Sequence, residues 1–322
     1  MNDLISIIIN VYNGEKFIKK CLDCVVNQTY KNLEIVIVND GSTDNTLSIC
    51  KSYRDKRIKI INQKNMGLAL SRNVGISNSK GAYLYFIDVD DLIELDTIEY
   101  LYNLCIKYGA DFSTCRSFDV RNNNFNIKNA DEVISVISSR DMLKMIFFAE
   151  DNAVASWNKL IKKDLYDGIR FENRFSDDIL VTHKLVMRTD KIVYSNQYKY
   201  YYLKHSESIC ASKRENYSWN VDMYKAFLER YEYVNKVYSD FIENDVGVLL
   251  IIEKLYLLKN RKIIEFLNKE NSIKLYKKLF SLSLLRCRMN EREKIKLVIF
   301  RISPKFHNFV IDSYLKIVGK SK

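Results

Sequence analysis

The sequence predicts an α/β fold, a mostly parallel sheet flanked by helices and followed by a helical C-terminal region. Three observations carry this. Nearly continuous apolar runs alternate four times with segments of helical period between Leu4 and Lys107, the pattern of βα units. Polar clusters follow the ends of three of those runs, where an open parallel sheet gathers its loops on one edge. From about Tyr217 the chain carries long Leu/Ile/Tyr/Phe faces, with the chain's single proline at Pro304.

Each element follows in order. Leu4 to Asn10 reads as a strand buried on both faces. Residues 15–27 then place Phe17, Ile18, Cys21, Leu22, Val25 and Val26 on one helical face. Leu33 to Asn39 is the second strand, and Ser42 is expected to cap a helix carrying Leu47 and Ile49. Arg57 to Ile61 and Leu68 to Ser77 form the third strand and helix. Ala82 to Asp88 is the fourth strand, followed by a helix from about Asp96 to Lys107.

At 322 residues, with 47% hydrophobic and 28% charged residues, the chain has the balance of a folded protein with a sizeable core. Its net charge is +11, but residues 1–253 hold 33 Lys+Arg against 35 Asp+Glu, whereas residues 254–322 hold 18 against 5. The basicity belongs to the tail. No recognition motif accompanies it, so a nucleic-acid partner is not expected. Seven Cys are scattered without metal-type spacing; Cys21 and Cys24 form a C-x-x-C, but within an amphipathic helix pattern. Reduced thiols and a cytoplasmic setting are expected. The apolar run at Leu4 lacks a basic leader, and Val246 to Leu258 contains Glu253 and Lys254, short of the ~20 apolar residues of a membrane span.

The polar clusters are Asn10-Val11-Tyr12-Asn13, Asn39-Asp40-Gly41-Ser42 and Asp88-Val89-Asp90-Asp91. Any one of them is ordinary turn chemistry. Three on one edge, two bearing carboxylates, point to a site. Asp88, Asp90 and Asp91 repel one another unless a cation or solvent relieves them. Oxygen ligands without His suit Mg²⁺ or Mn²⁺, which also bind phosphates. The competing reading has Asp91 capping the next helix and the others solvated.

These residues also carry a family likeness. Ser6-Ile-Ile-Ile-Asn-Val-Tyr-Asn-Gly-Glu-Lys-Phe17, Asn27-Gln-Thr-Tyr30 and Asn39-Asp-Gly-Ser-Thr-Asp44 closely resemble family 2 glycosyltransferases. Asn65-Met-Gly-Leu-Ala-Leu-Ser-Arg-Asn-Val-Gly75 and Phe86-Ile-Asp-Val-Asp-Asp91 continue the match in the family's order. The resemblance is dense over residues 4–118 and looser to about 212. It implies a nucleotide-sugar-binding fold of the glycosyltransferase A type and inversion at the anomeric carbon. It further implies that Tyr12 and Asp40 hold the nucleobase, with Asn10 and Asn13 in the same loop. Asn65 and Arg72 match positions that contact the nucleotide or order the phosphate side. Asp88 would face the ribose or sugar, and Asp90 would ligate the Mn²⁺ or Mg²⁺ that bridges the diphosphate. Two departures stand out: Asn10 replaces the usual Pro, and Asn39 replaces an acidic residue.

Further along, Phe171-Glu-Asn-Arg-Phe-Ser-Asp-Asp-Ile-Leu180 resembles the family's second acidic motif. The resemblance gives Asp178 the role of general base, with Asp177 in place of the usual Glu. The simpler reading makes these acids the favourable first turn of a helix, and both can hold. Trp157-Asn-Lys-Leu160 also resembles a family segment; Trp157 is a candidate to pack under the acceptor or to wall the donor cleft, although a Trp in a mixed segment is more often core, and Lys159 reads as structural. Tyr200-Tyr-Tyr-Leu-Lys-His-Ser-Glu-Ser-Ile209 resembles the family's closing loop, so Lys204, His205 and Ser208 are candidates to offset diphosphate charge. His183 reads equally well as a solvated helix residue. No Ser or Cys nucleophile with an ordered His partner is apparent, and no P-loop pattern occurs.

The expected organisation is a catalytic domain over 1–215 and a basic helical region over 216–322. In the latter Lys277, Lys278, Arg286, Arg288, Arg292, Lys294, Lys296, Arg301 and Lys305 surround apolar residues, suiting either an anionic membrane surface or a second copy of the chain. The resemblance implies transfer of a sugar, with UDP the expected nucleotide, to a glycan or lipid-linked glycan acceptor of a surface polysaccharide such as capsule or lipopolysaccharide. A nucleotidyltransferase and an inactive membrane-associated scaffold are the alternatives; the first would want a Gly-rich basic loop that Asn10 to Gly14 does not supply.

Overall fold

In the computed structural model the chain divides into two compact units, Met1–Arg214 and Glu215–Lys322. The structure describes residues 2–121, 124–125, 127, 129–148, 150–174, 177–205, 208 and 217–239. The tail's cluster of basic residues from 277 to 305 lies outside them.

The first unit runs β1 (Ile5–Val11), α1 (Ile18–Val26), β2 (Leu33–Asp40), α2 (Thr46–Ser52), β3 (Ile58–Gln63), α3 (Leu68–Asn78), β4 (Tyr83–Asp88), β5 (Leu92–Ile93), α4 (Thr97–Tyr108) and β6 (Phe112–Val120). It continues through β7 (Ile134–Ile137), α5 (Ser139–Phe148), β8 (Lys159–Lys162), α6 (Asp177–Val186) and β9 (Ile192–Leu203), with 3₁₀ turns at Glu150–Asn152 and Lys163–Tyr166. In the second unit α7 (Tyr217–Val237) is helical, as the sequence predicts.

Among the described residues nine strands form one sheet in the order β3-β2-β1-β4-β8-β6-β9-β5, with β7 also paired to β9. The first four strands are parallel, as expected of successive βα units. The far half is mixed: β8 runs antiparallel to β4 and β6, and β5 and β7 run antiparallel to β9. Strands β5, β7 and β8 are not predicted from the sequence, because runs of two to four residues have no readable period.

The alternation of side chains assigns each face a task. Ile5, Ile7, Ile9, Val11, Ile35, Ile37, Tyr85 and Ile87 join Ile18, Cys21, Leu22 and Val25 of α1 and Ile98 and Leu101 of α4 in the main core. Ile8 belongs to the opposite face, where α3 lies so close that a Cβ on Gly75 would stand 2.4 Å from Ile8 Cγ2. That face also carries Asn10, paired in register with Asp88. Burying each such Ile or Leu is worth ~1.5–3 kcal/mol, so the register that places Asp88 and Asn10 at one strand edge is firmly set. The described cysteines Cys21, Cys24, Cys50, Cys105 and Cys115 are free thiols, as expected.

Candidate active site

The loops after β1 and β2 are laced together. Asn13, at φ 50°, donates its backbone N–H to Ser42 Oγ (2.9 Å) and accepts from Thr43 N–H at its side-chain oxygen (2.8 Å). Gly14 N–H donates to Thr46 Oγ1 (2.8 Å). Ser42 therefore does not cap α2; that helix begins at Thr46, whose N–H is taken by Asp44 (3.0 Å), while Ser42 ties the two loops. Tyr12 stands at the rim with 52% of its surface exposed.

Asp40, at the end of β2, is 3% exposed and accepts three hydrogen bonds, from Gln63 Nε2 (2.8 Å), Met66 N–H (2.9 Å) and Gly67 N–H (2.8 Å). It thereby shapes the entry into α3 and retains limited capacity for a ligand donor. Gly41 is needed here: φ is 76°, and a Cβ would meet Asn65 N at 2.7 Å. Asn65 itself is exposed beside it.

Arg72 projects from α3 into the centre of the site and is 3% exposed. Its Nη1 donates to Asp177 Oδ2 (2.6 Å) and Asp178 Oδ1 (2.8 Å), its Nη2 pairs with Asp88 Oδ1 (3.4 Å), and its guanidinium lies 5.3 Å from the Phe171 ring centroid. Asn73 holds that partner loop in place through two hydrogen bonds to the Phe171 backbone. Burial opposes the charge on Arg72, but Asp177, Asp178 and Asp88 more than offset it and keep the group protonated. Withdrawal from solvent pushes Asp88 up to about 7, with Arg72 pulling the other way and Asp90, Asp178 and Asp177 adding to the rise. Burial likewise pushes Asp177 up to about 6 against the pull of Arg72.

Asp177 and Asp178 open α6, the first buried and the second partly open. Asp90, two residues past β4, lies within hydrogen-bond distance of His205, Oδ2 to Nε2 at 2.8 Å, and the His205 ring packs 4.7 Å from Phe17. His205 Nδ1 and Asn10 Nδ2 are buried with no hydrogen-bond partner among the described residues. Such atoms mark where a ligand's polar groups would be welcome.

Several expectations are corrected. Asp91 does not cap the next helix, as the competing reading had it: it is 0% exposed, accepts from Tyr200 Oη (2.6 Å) and Leu203 N–H (2.8 Å), and α4 starts instead after Asp96. Burial raises its carboxyl well above the usual range. Trp157 is core, stacked on Tyr200 at 4.4 Å and Tyr202 at 5.3 Å. Lys204 is turned to Asp119 (2.7 Å), not to the acidic centre. The backbone N–H of Ser208 donates to the His205 carbonyl (3.3 Å), which leaves the expectation for its side chain as it stood. His183 is buried, its Nδ1 2.9 Å from the Ile179 carbonyl, and not solvated. Arg72, expected to contact the nucleotide or to order the phosphate side, is bound to three carboxylates; side-chain pairing across 106 residues leaves no trace in local sequence.

Comparison with known proteins agrees with this architecture. The sequence profile described as Glycosyl transferase family 2 matches residues 6–171. The chain is 31% identical over 242 residues to glycosyltransferase GlyG of Streptococcus pneumoniae, covering 71% of this chain and 80% of that protein. It is 34% identical over 213 residues to glycosyltransferase GlyA of the same organism, covering 63% of this chain but only 31% of that longer protein. Among solved structures, S. aureus TarS 1-349 in complex with UDP-GlcNAc superposes with a TM-score of 0.62 at 21% identity, over 94% of this chain and 88% of that one. Mannosyltransferase PcManGT from Pyrobaculum calidifontis, in complex with GDP-Man and Mn2+, superposes with a TM-score of 0.53 at 14% identity, over 95% of this chain and 88% of that one. The chain belongs to glycosyl transferase family 2 and is a glycosyltransferase.

Proposed function

We propose that the protein transfers a sugar from a UDP-sugar to a glycan or lipid-linked glycan acceptor, with inversion, in surface-polysaccharide synthesis. The single observation that carries the reading is Arg72, which ties the strand-end Asp88 to the helix-start Asp178 and so brings a donor-side and an acceptor-side carboxylate to one point. In a single displacement Asp178 takes the proton of the acceptor hydroxyl as that oxygen attacks the anomeric carbon and the diphosphate leaves. Arg72 holds Asp178 in place, and the buried Asp177 shares the same guanidinium.

The base pocket in this reading is Tyr12 at the rim with Asp40 and Asn65 beside it, above the floor knitted by Asn13. Asn10, with its free Nδ2, and Asp88 lie under the ribose or sugar. The likeness to TarS bound to UDP-GlcNAc supports UDP as the nucleotide.

A divalent ion fits the residues present. Asp90 and His205 offer one oxygen and one nitrogen donor at 2.8 Å from each other, and Asp90 adds its charge to that of Asp88, Asp177 and Asp178, three carboxylates that share a single guanidinium. Among the described residues no three His, Cys, Asp or Glu side chains form a metal cage, so an ion held by Asp90 and His205 would need its remaining ligands from water and the diphosphate. Bound there, Mn²⁺ or Mg²⁺ would neutralise charge developing on the leaving diphosphate. No helix among the described residues is long and apolar enough to cross a membrane. We place the enzyme in the cytoplasm, with residues 216–322 as its contact to a membrane face or a second copy.

The test is a panel of nucleotide sugars with Mn²⁺, read as release of nucleoside diphosphate. UDP release that depends on the sugar and disappears in Asp178→Asn supports the reading. Release only from a GDP-sugar, or none from any donor, overturns the choice of nucleotide or of activity respectively.

A further inference from the structure

Lys159, at the start of β8, has no part in the mechanism above, yet it is the most conspicuous buried cation after Arg72. Only 1% of it is exposed, and no carboxylate pairs with it among the described residues. Its Nζ instead donates to three oxygens: Asn158 Oδ1 (2.6 Å), the Trp157 carbonyl (3.2 Å) and the Asn152 carbonyl (3.3 Å). All three donors of the ammonium are thus spent inside one short segment. Burial pushes it down to about 7, while the charge of Asp178 acts on it in the opposite sense.

The segment so gripped is unusual. Asp151, Asn152 and Asn158 have φ of 43°, 54° and 57°, left-handed backbone that is uncommon outside glycine and that Asn and Asp adopt most readily. Asn158 Nδ2 donates to the Cys115 carbonyl (2.7 Å), Asn152 Nδ2 to Ser117 Oγ (2.7 Å), and Asp151 is held by Arg116 (3.0 Å) and Tyr194 Oη (2.5 Å). Between these anchors the Val154 carbonyl accepts from Thr182 Oγ1 of α6 (2.7 Å), four residues past Asp178. At the other end Trp157 stacks on Tyr200 and bridges Phe86, two residues before Asp88.

We propose that Lys159 is a positioning residue: its ammonium ties together residues 151–158, left-handed at Asp151, Asn152 and Asn158, and through the Val154–Thr182 contact and its own field it fixes the place and charge of Asp178. This rests on Asp178 being the base. The charged and titratable groups facing Asp178 are Arg72 from α3, Asp88 from β4, Asp177 from α6, Tyr166 from the 3₁₀ turn and Lys159 from β8. Lys159 and Arg72 are the cations in that set, and Lys159 alone also holds the segment that braces α6.

The experiment compares the full-length wild type with Lys159→Met, Lys159→Gln and Lys159→Arg. It reads thermal unfolding, UDP affinity with Mn²⁺, the pH dependence of UDP release from UDP-GlcNAc, and amide exchange over residues 150–158 and α6. Lys159→Met is expected to bind UDP as the wild type does and to turn over about 100-fold more slowly per folded molecule. Its acid limb should lie at higher pH, because a carboxylate that loses a neighbouring cation is protonated more easily. Amides of α6 should exchange faster, and Lys159→Arg should restore the acid limb. If Lys159→Met does not fold, Lys159→Gln, which keeps donors but no charge, replaces it with the same expectations. Wild-type turnover and acid limb in a folded neutral variant overturn the proposal and leave Lys159 a packing residue. A wild type that neither binds UDP nor releases it overturns the donor reading instead; amide exchange then decides, unchanged protection of α6 counting against Lys159 and faster exchange for it.

Discussion

Arg72 on α3 and Asp178 on α6 meet at 2.8 Å across 106 residues of chain, and the same guanidinium reaches Asp177 and Asp88. One buried cation therefore orders three carboxylates from two elements, β4 and α6. A lysine keeps the charge but not the planar fork, so Arg72→Lys should lower turnover by about 100-fold while leaving UDP affinity nearly intact. Arg72→Ala strands its partners and should cost ~3–5 kcal/mol of stability, read from denaturant midpoints. Loss of UDP affinity in Arg72→Lys, in step with turnover, would instead return Arg72 to a phosphate contact.

Asp178→Asn keeps size and hydrogen-bonding shape but cannot take a proton. Turnover is expected to fall by about 10²–10⁴-fold with UDP binding preserved, measured by UDP release and calorimetry. Activity surviving in that variant at the wild-type level would exclude the base assignment.

Asp90 and His205 meet at 2.8 Å, each about one quarter exposed. Asp90→Ala should remove the part of UDP affinity that depends on Mn²⁺, and His205→Ala should weaken it by about 10–100-fold. Titrations with Mn²⁺ and with chelator separate the two. An unchanged Mn²⁺ dependence in His205→Ala would sink its role as a ligand.

Lys159 gives stability a pH dependence of definite sign. Its ammonium is pushed down to about 7 in the fold, against 10.5 when exposed. Between those values the unfolded chain binds the proton that the folded chain has released, so stability attributable to Lys159 rises with pH across that window. Wild type minus Lys159→Met, measured by urea midpoints, should show this rise, on the order of a few kcal/mol. A flat difference would mean that the buried amine keeps its proton.

Asp91 anchors β9 to the acidic turn through Tyr200 and Leu203. Tyr200→Phe should destabilise by about 1–3 kcal/mol through the unpartnered Asp91 oxygen, with a smaller effect on UDP affinity than on the melting temperature. A variant that melts like the wild type would remove Asp91 from the framework.

Much was legible before any coordinate. The parallel half of the sheet follows from the alternation of strand and helix periods, because each period buries a face that only its neighbour can cover. The clusters at Asp40, Asp88 and Asp178 stand at element ends for the same reason, and the family motifs carry their order. Illegible were the antiparallel strands beyond β4, since brief apolar runs such as Lys159–Lys162 have no period long enough to read. So too were the partners of the polar groups. Asp91, Asp90 and Lys204 sit close together or in similar company along the sequence, yet one is locked to Tyr200, one faces His205 and one turns to Asp119. By itself the sequence determined the fold class, the edge that bears the site and the residue types available there. Only the tertiary structure decided which carboxylate is buried, which is paired and which stays open, because desolvation and Coulomb energy depend on distances in space that separation along the chain does not encode.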